Sequence, residues 1–153
     1  MTQDTKPPMH DAIFAQPLET PTPFEFNAQV ADVFENMIQR SVPGYNFLLD
    51  VIGLLAARYG QPYSHCYDLG CSLGTMTLRL RQNLPAHAHV IGVDNSAAMV
   101  SRCLHNMARD HSQASYEIVQ QNLQDTVIDN ASMVILNFTL QFIADIERPS
   151  ILK

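Results

Sequence analysis

The chain has 153 residues, 46% of them hydrophobic, with 15 acidic against 9 basic side chains and a net charge of −6. That length supports one domain with a real core, and no run approaches the roughly 20 apolar residues of a membrane helix. The acidic balance and the scattered arginines argue against a surface that grips nucleic acid and point to a small-molecule ligand.

The start, Met1 to Pro8, is polar and proline-containing. It lacks the apolar core of a secretory signal, so a cytoplasmic, reducing location is expected. Cys66, Cys71 and Cys103 contain no C-x-x-C pair and suggest neither a disulfide frame nor a zinc site.

Residues 1–26 read as an extended arm. Pro7, Pro8, Pro17, Pro21 and Pro23 oppose helix, while Ile13, Phe14, Phe24 and Phe26 supply apolar anchors. Asn27 then caps a helix whose Val30, Val33, Phe34, Met37 and Ile38 follow the i, i+3, i+4, i+7 spacing. A rigid turn, Arg40 to Tyr45, leads into a second helix with Phe47, Leu48, Val51, Ile52, Leu55 and Tyr59 as its apolar set, closed by Gly60 and Pro62. The methionine and aromatic residues of both faces read as core rather than as ligand contacts.

Four apolar strands follow, over 65–69, 89–93, 115–119 and 132–137. They alternate with helices over 74–83 and 96–109, and a further helix begins near Ile146. Crossover helices make the strands parallel, and a run such as Met133-Val134-Ile135-Leu136 suits a strand covered on both faces. The expected class is α/β, a Rossmann-like parallel sheet with flanking helices, in one domain spanning 27–153 after the arm.

The functional signal lies at the carboxyl ends of these strands, where ligands bind in open α/β sheets. His65-Cys66-Tyr67-Asp68-Leu69-Gly70-Cys71-Ser72-Leu73-Gly74 is a short strand, a glycine turn and the start of a helix. Such a turn brings unpaired N–H groups beside a ligand. Ser72 stands where a dinucleotide fingerprint has its middle glycine, so a nucleoside bearing a carboxylate fits better than a pyrophosphate. Asp94 and Asn95 end the second strand, where a carboxylate suits paired ribose hydroxyls. Asp68 and Gly70 end the first strand, Asn122 follows the third and Asn137 the fourth, and all converge on one crevice. Read alone, the turn is also compatible with an ordinary strand–helix connection, and Asp94 and Ser96 with turn punctuation. Cys71 reads as a small turn filler. His87 and His89 form an H-x-H with no third ligand nearby, so no metal is expected. No catalytic constellation can be assembled, and no catalytic residue is named.

The glycine turn and the strand-two acid resemble class I S-adenosylmethionine-dependent methyltransferases. Within that group, Asp11 to Phe14, Met37 to Tyr45 (with R-S-V-P-G-Y), Tyr67 to Gly74 and Asn130 to Phe142 (with L-N-F-T-L-Q-F) resemble the carboxy-S-adenosyl-L-methionine synthases. The resemblance implies an enzyme with S-adenosyl-L-methionine as substrate and no metal. It implies that prephenate loses its carboxylate as it aromatises to phenylpyruvate and that the S-methyl carbon captures the carboxyl, giving the donor for modification of the tRNA wobble uridine. It further implies that Tyr45 meets the cofactor's carboxylate, Gly70, Cys71 and Ser72 its methionine part, and Asp94 and Asn95 the ribose. Asn122 and Leu123 would serve the adenine, and Asn137 the reacting end. A homodimer that does not itself hold tRNA, and no membrane, are implied as well.

Two departures stand out. Asn122 occupies the place of the family's aspartate, keeping an acceptor oxygen without the charge. The chain stops at Lys153, while the family's fold continues through further strands and an arginine that binds the new carboxylate. Only the N-terminal four strands are then present, the fourth is expected as an exposed apolar edge, and the chain reads as truncated. A conventional small-molecule methyltransferase and a cofactor-binding fragment without turnover remain as alternatives.

Overall fold

The computed structural model describes residues 27–152; the arm over 1–26, including the Asp11 to Phe14 segment, lies outside the described residues. Five helices and four strands follow in the order α1 (Ala28–Ser41), α2 (Tyr45–Tyr59), β1 (His65–Leu69), α3 (Thr75–Asn83), β2 (His89–Asp94), α4 (Ala97–Met107), β3 (Ser115–Gln120), β4 (Ala131–Ile135) and α5 (Arg148–Ile151). One-turn 3-10 segments occupy Leu123–Asp125 and Leu140–Phe142. All strands are parallel in the order β3-β2-β1-β4. The α/β class and the strand spans agree with the sequence to within two residues.

Register explains the layering. Cys66, Val90 and Tyr116 are cross-strand partners on one face. Cys66 and Val90 pack with Leu49 and Ala56 of α2 and Met76 and Leu80 of α3, and Tyr116 also lies against Cys103 and Met107 of α4. Tyr67, Leu69 and Val93 point the other way and are covered by Leu123 and Leu136. The expectation that the fourth strand is covered on both faces fails at Val134, which is 42% exposed. Among the described residues β4 pairs only with β1 and forms one rim of the sheet.

The second helix faces the core differently from its apolar pattern. Phe47 is 73% exposed, and Leu55 and Tyr59 also face out. Tyr45, Leu49, Gly53 and Ala56 turn inward instead. Close approach to α3 is the reason: a Cβ on Gly53 would stand 3.1 Å from Cγ of Arg79 and 3.0 Å from Nδ2 of Asn83. Gly53 and Ala56 therefore let the packed face, with Tyr45 and Leu49, come close to α3, and Phe47, Leu55 and Tyr59 are left on the outer side.

Caps and clamps fix the remaining elements. Asn27 Oδ1 accepts from Val30 N–H at 3.0 Å, and Ser96 Oγ from Met99 N–H at 3.3 Å, each satisfying a helix-start amide. Arg81 of α3 is buried and binds the segment ahead of β3. It donates to the carbonyls of Ala114 and Ser112 at 2.8 Å each and pairs with Asp110 at 2.7 Å. Its guanidinium also lies 4.5 Å from the centre of the Tyr116 ring. An Arg102–Asp32 ion pair ties α4 to α1.

Candidate functional site

A cavity of about 830 Å³ opens at the carboxyl ends of β1, β2 and β4. It is within the size range of small-molecule sites. Its wall includes Tyr45, Gly70, Cys71, Ser72, Asp94, Asn95, Asn122, Leu123 and Asn137, so the nine residues singled out from the sequence stand around one space.

The turn between β1 and α3 is held from below and from the side. Gly70 and Gly74 have φ of +85° and +83°, the left-handed region that glycine enters without a Cβ penalty. A Cβ on Gly70 would also come within 2.5 Å of Thr139 Cγ2, and Thr139 Oγ1 donates to Leu69 O at 2.7 Å. The amides do not match the expectation of free donors. Gly70 N–H and Cys71 N–H both donate to Val93 O, at 2.8 and 3.0 Å, and Ser72 N–H donates to Asp94 Oδ2 at 2.9 Å. Ser72 itself sits at φ +51° to make that bond.

Asp94 thus anchors the turn as well as lining the cavity. Its Oδ1 accepts from Ser96 N–H at 2.9 Å. A carboxylate has about four acceptor positions, and with the Asn95 amide also bearing on it about one is left for a ligand hydroxyl. Burial raises the Asp94 pKa, against the opposing pull of the Ser96 and Ser72 amides. Beside it, Asn95 Nδ2 donates to Asn122 Oδ1 at 3.2 Å, and Asn122 Nδ2 to Asp125 at 3.4 Å. The acceptor oxygen expected to meet adenine is engaged once already.

The strand-end position places Asp68 at the crevice but gives it no role in holding a ligand. It lies at the end of β1, is 1% exposed and lines the cavity. Thr77 of α3 donates to its Oδ2 at 2.6 Å. Burial, with the Asp94 carboxylate adding to it, pushes its pKa up to about 6 despite the Thr77 bond. The available signal was an acid at the tip of a buried strand, two residues before the turn glycine. Tyr45, first in α2, is pushed up to about 12 by burial, then by Asp68 and Glu35, so its hydroxyl keeps its proton at neutral pH. Its ring stands 6.3 Å from that of Phe138.

Phe34, Met37 and Ile38 of α1 also line the cavity, which corrects their reading as core alone. Cys71 is buried at 4% exposure and contacts Cys103 and Met107. Its thiol is pushed up, first by a hydrogen bond with Cys103 and then by burial, as suits a filler rather than a nucleophile. His87 stacks on Tyr63 with ring centres 5.0 Å apart, and His89 Nδ1 meets Ser115 Oγ at 2.8 Å. Among the described residues no three His, Cys, Asp or Glu side chains are grouped to hold a metal, and no helix is long and apolar enough to cross a membrane.

Comparison with known proteins places this architecture. Residues 67–153 match the family model described as a methyltransferase domain. The chain belongs to that family. The carboxy-S-adenosyl-L-methionine synthase of Citrifermentans bemidjiense is 51% identical over 146 residues, covering 94% of this chain and 59% of the relative. The enzyme of the same name from Citrobacter koseri is 46% identical over 143 residues, covering 93% of this chain and 58% of its own length. The chain therefore spans somewhat over half the length of these curated relatives. Among solved structures, magnesium protoporphyrin IX methyltransferase from Synechocystis PCC 6803, determined with S-adenosylmethionine bound, superposes with a TM-score of 0.58 at 18% identity, covering 87% of this chain and 71% of that one. This agreement gives the fold: a Rossmann-like methyltransferase sheet.

Proposed function

We propose that this chain binds S-adenosyl-L-methionine in the cavity and carries the cofactor half of a carboxy-S-adenosyl-L-methionine synthase. The observation that carries the reading is the Asp94-anchored turn. It sets a carboxylate with a spare acceptor position beside Asn95, to which a ribose hydroxyl would donate, in a chain about half identical to synthases of that name. The donor set fits the ligand in kind. Asp94 and Asn95 would hold the ribose, Asn122 and Leu123 the adenine, and Gly70, Cys71 and Ser72 would contour the methionine part. The protonated Tyr45 hydroxyl would donate to the ligand's carboxylate, and Asn137 would stand at the reacting end.

In the proposed reaction prephenate aromatises to phenylpyruvate, losing its carboxyl group and hydroxide. The methyl next to the sulfonium, acidified by the adjacent charge, loses a proton and gains the carboxyl carbon. The proton and hydroxide leave as water. Exclusion of bulk water would protect such a step, and Phe34, Tyr45, Phe138 and Phe142 give the cavity an apolar rim. A homodimer, a cytoplasmic setting and supply of the donor for tRNA wobble-uridine modification belong to the same proposal and rest on kinship.

A second reading is favoured by one observation: the described lining holds no lysine, arginine or histidine to receive prephenate's two carboxylates. In that reading the chain binds S-adenosyl-L-methionine without carboxyl transfer. Calorimetric titration with S-adenosyl-L-methionine, then mass spectrometry after adding prephenate, separates them. Binding with a product heavier by a carboxyl group is expected for the synthase. Binding without product favours the second reading, and no binding refutes both.

A further inference from the structure

Two of the three thiols meet behind the cavity wall. Cys71 stands in the turn between β1 and α3 and lines the cavity, and Cys103 of α4 packs against it together with Met107. Their thiols are joined by a hydrogen bond. Two glycines clear the space that the sulfurs fill. A Cβ on Gly74 would come within 2.6 Å of Cys103 Sγ, and one on Gly92 within 3.2 Å of Cys71 Sγ. Turn and helix are already tied beside them, where Asn106 Nδ2 of α4 donates to Leu73 O at 2.9 Å. Cys66, the third thiol, lies in a different cluster with Leu49 and Leu80.

We propose that Cys71 and Cys103 form an oxidisable dithiol, closed to a disulfide by a hydroperoxide, and that closure pulls the cavity's turn toward α4. The hydroperoxide takes two electrons from the pair. Cys71 Sγ, on losing its proton, attacks the distal oxygen; the O–O bond breaks, and the leaving oxygen takes up that proton, giving a sulfenic acid. Cys103 Sγ then attacks Cys71 Sγ. The S–S bond forms, the S–O bond breaks, and hydroxide leaves as water with the Cys103 proton. Cys71 is the entry point because it lines the cavity, whereas Cys103 is 0% exposed. The hydrogen bond with Cys103, then burial and the carboxylates of Asp68 and Asp94, hold the Cys71 thiol in its protonated form, so the first step is slow. The same surroundings do not oppose the product, because a disulfide carries no charge.

Disulfide sulfurs stand roughly 2 Å apart, closer than two thiols in contact. The turn has little slack to supply that approach. Cys71 N–H donates to Val93 O at 3.0 Å, its carbonyl accepts from Gly74 N–H at 2.8 Å, and the Ser72–Asp94 bond follows directly. Closure therefore loads the contact that fixes Asp94. This consequence deepens the S-adenosyl-L-methionine reading and rests on it: the oxidised chain binds that ligand more weakly, and by linkage the bound ligand opposes closure.

Treatment of the full chain with hydrogen peroxide, then alkylation in denaturant and peptide mapping by mass spectrometry, tests the pair without any ligand. The expected product is lighter by two hydrogens, joins the Cys71 and Cys103 peptides, leaves Cys66 alkylated and is reversed by dithiothreitol. Three alkylated thiols, a bridge through Cys66 or to a second chain, or a sulfinic acid at Cys71 would overturn the pair. Cys103→Ser should instead leave a sulfenic acid at Cys71 that dimedone traps; the map of the unaltered chain decides even where this variant does not fold. Titration calorimetry of the reduced and oxidised chains with S-adenosyl-L-methionine then tests the coupling. Roughly tenfold weaker binding is expected on oxidation, the worth of one hydrogen bond to a charged group, with recovery in dithiothreitol. Equal affinities would overturn the coupling while leaving both the disulfide and the cofactor assignment in place. A chain that forms the disulfide yet binds the ligand in neither state would remove the cofactor assignment and not the redox pair.

Discussion

Asp94 and Ser72, 22 residues apart, are joined by a 2.9 Å hydrogen bond from the Ser72 amide to the Asp94 carboxylate. The tip of β2 thereby fixes the glycine turn that follows β1, and one side chain both shapes the cavity and faces into it. Asp94→Ala should cost roughly 1.5–3 kcal/mol of S-adenosyl-L-methionine binding, the worth of hydrogen bonds to a charged group. Asp94→Asn, which keeps one acceptor, should fall between. Titration calorimetry gives the answer, and an unchanged dissociation constant for Asp94→Ala would refute the ribose role.

Gly70 combines a left-handed backbone with a crowded outer side, since an added Cβ would meet Thr139 at 2.5 Å. Gly70→Ala should destabilise the chain by at least about 1–2 kcal/mol from backbone conformation alone. Trimming the neighbour in Gly70→Ala/Thr139→Ala removes the two closest atoms and should recover part of the loss. Chemical denaturation of the four members of the cycle measures it; strict additivity would mean that the contact has no energetic weight.

Arg81 pairs with a nearly buried Asp110 and satisfies two carbonyls. Arg81→Met leaves that carboxylate without its partner and should cost on the order of 3–5 kcal/mol. Arg81→Lys cannot reproduce the fork and should rescue only a fraction. The readout is the denaturation midpoint, and a loss below about 1 kcal/mol would contradict the clamp.

Asp68 makes stability depend on pH in a direction opposite to that of a salt-bridged acid. Its pKa is about 6 in the folded chain against an ordinary 3.8, so the folded state holds its proton more tightly. The stabilisation is complete below about pH 4 and fades as pH rises through about 6, amounting to on the order of 3 kcal/mol. The difference in unfolding free energy between the chain and its Asp68→Asn variant, followed from pH 4 to about pH 7, isolates this contribution. A flat difference would show that the carboxyl group is not buried in solution.

Strands and helices were legible because their signals are local. Apolar runs mark β1 and β2, and Asn27 and Ser96 announce their helices by cap chemistry. The orientation of α2 was not, because the helix is apolar on nearly all sides, and the face that packs is set by how closely α3 approaches Gly53. Seven of the nine cavity residues were legible because parallel topology brings strand ends together; Tyr45 and Leu123 came from the family resemblance alone. Asp68 was seen at a strand tip but not weighed, since its burial depends on Tyr45 and Thr77 on two different helices. The engaged amides of Gly70 and Cys71 could not be read at all: their acceptor, Val93 O, belongs to the neighbouring strand.

The rim position of β4 sets how the sheet exchanges hydrogen with its solvent. β1 has β2 on one side and β4 on the other, so its amides are enclosed. On β4, the alternate amides that point away from β1 have no strand partner among the described residues. In deuterated water those positions should lose their protons first, leaving a checkerboard of labelled and unlabelled sites along Ala131–Ile135 while β1 stays protonated. Any segment that seats against this rim would erase the checkerboard, so isotope labelling would register its arrival residue by residue.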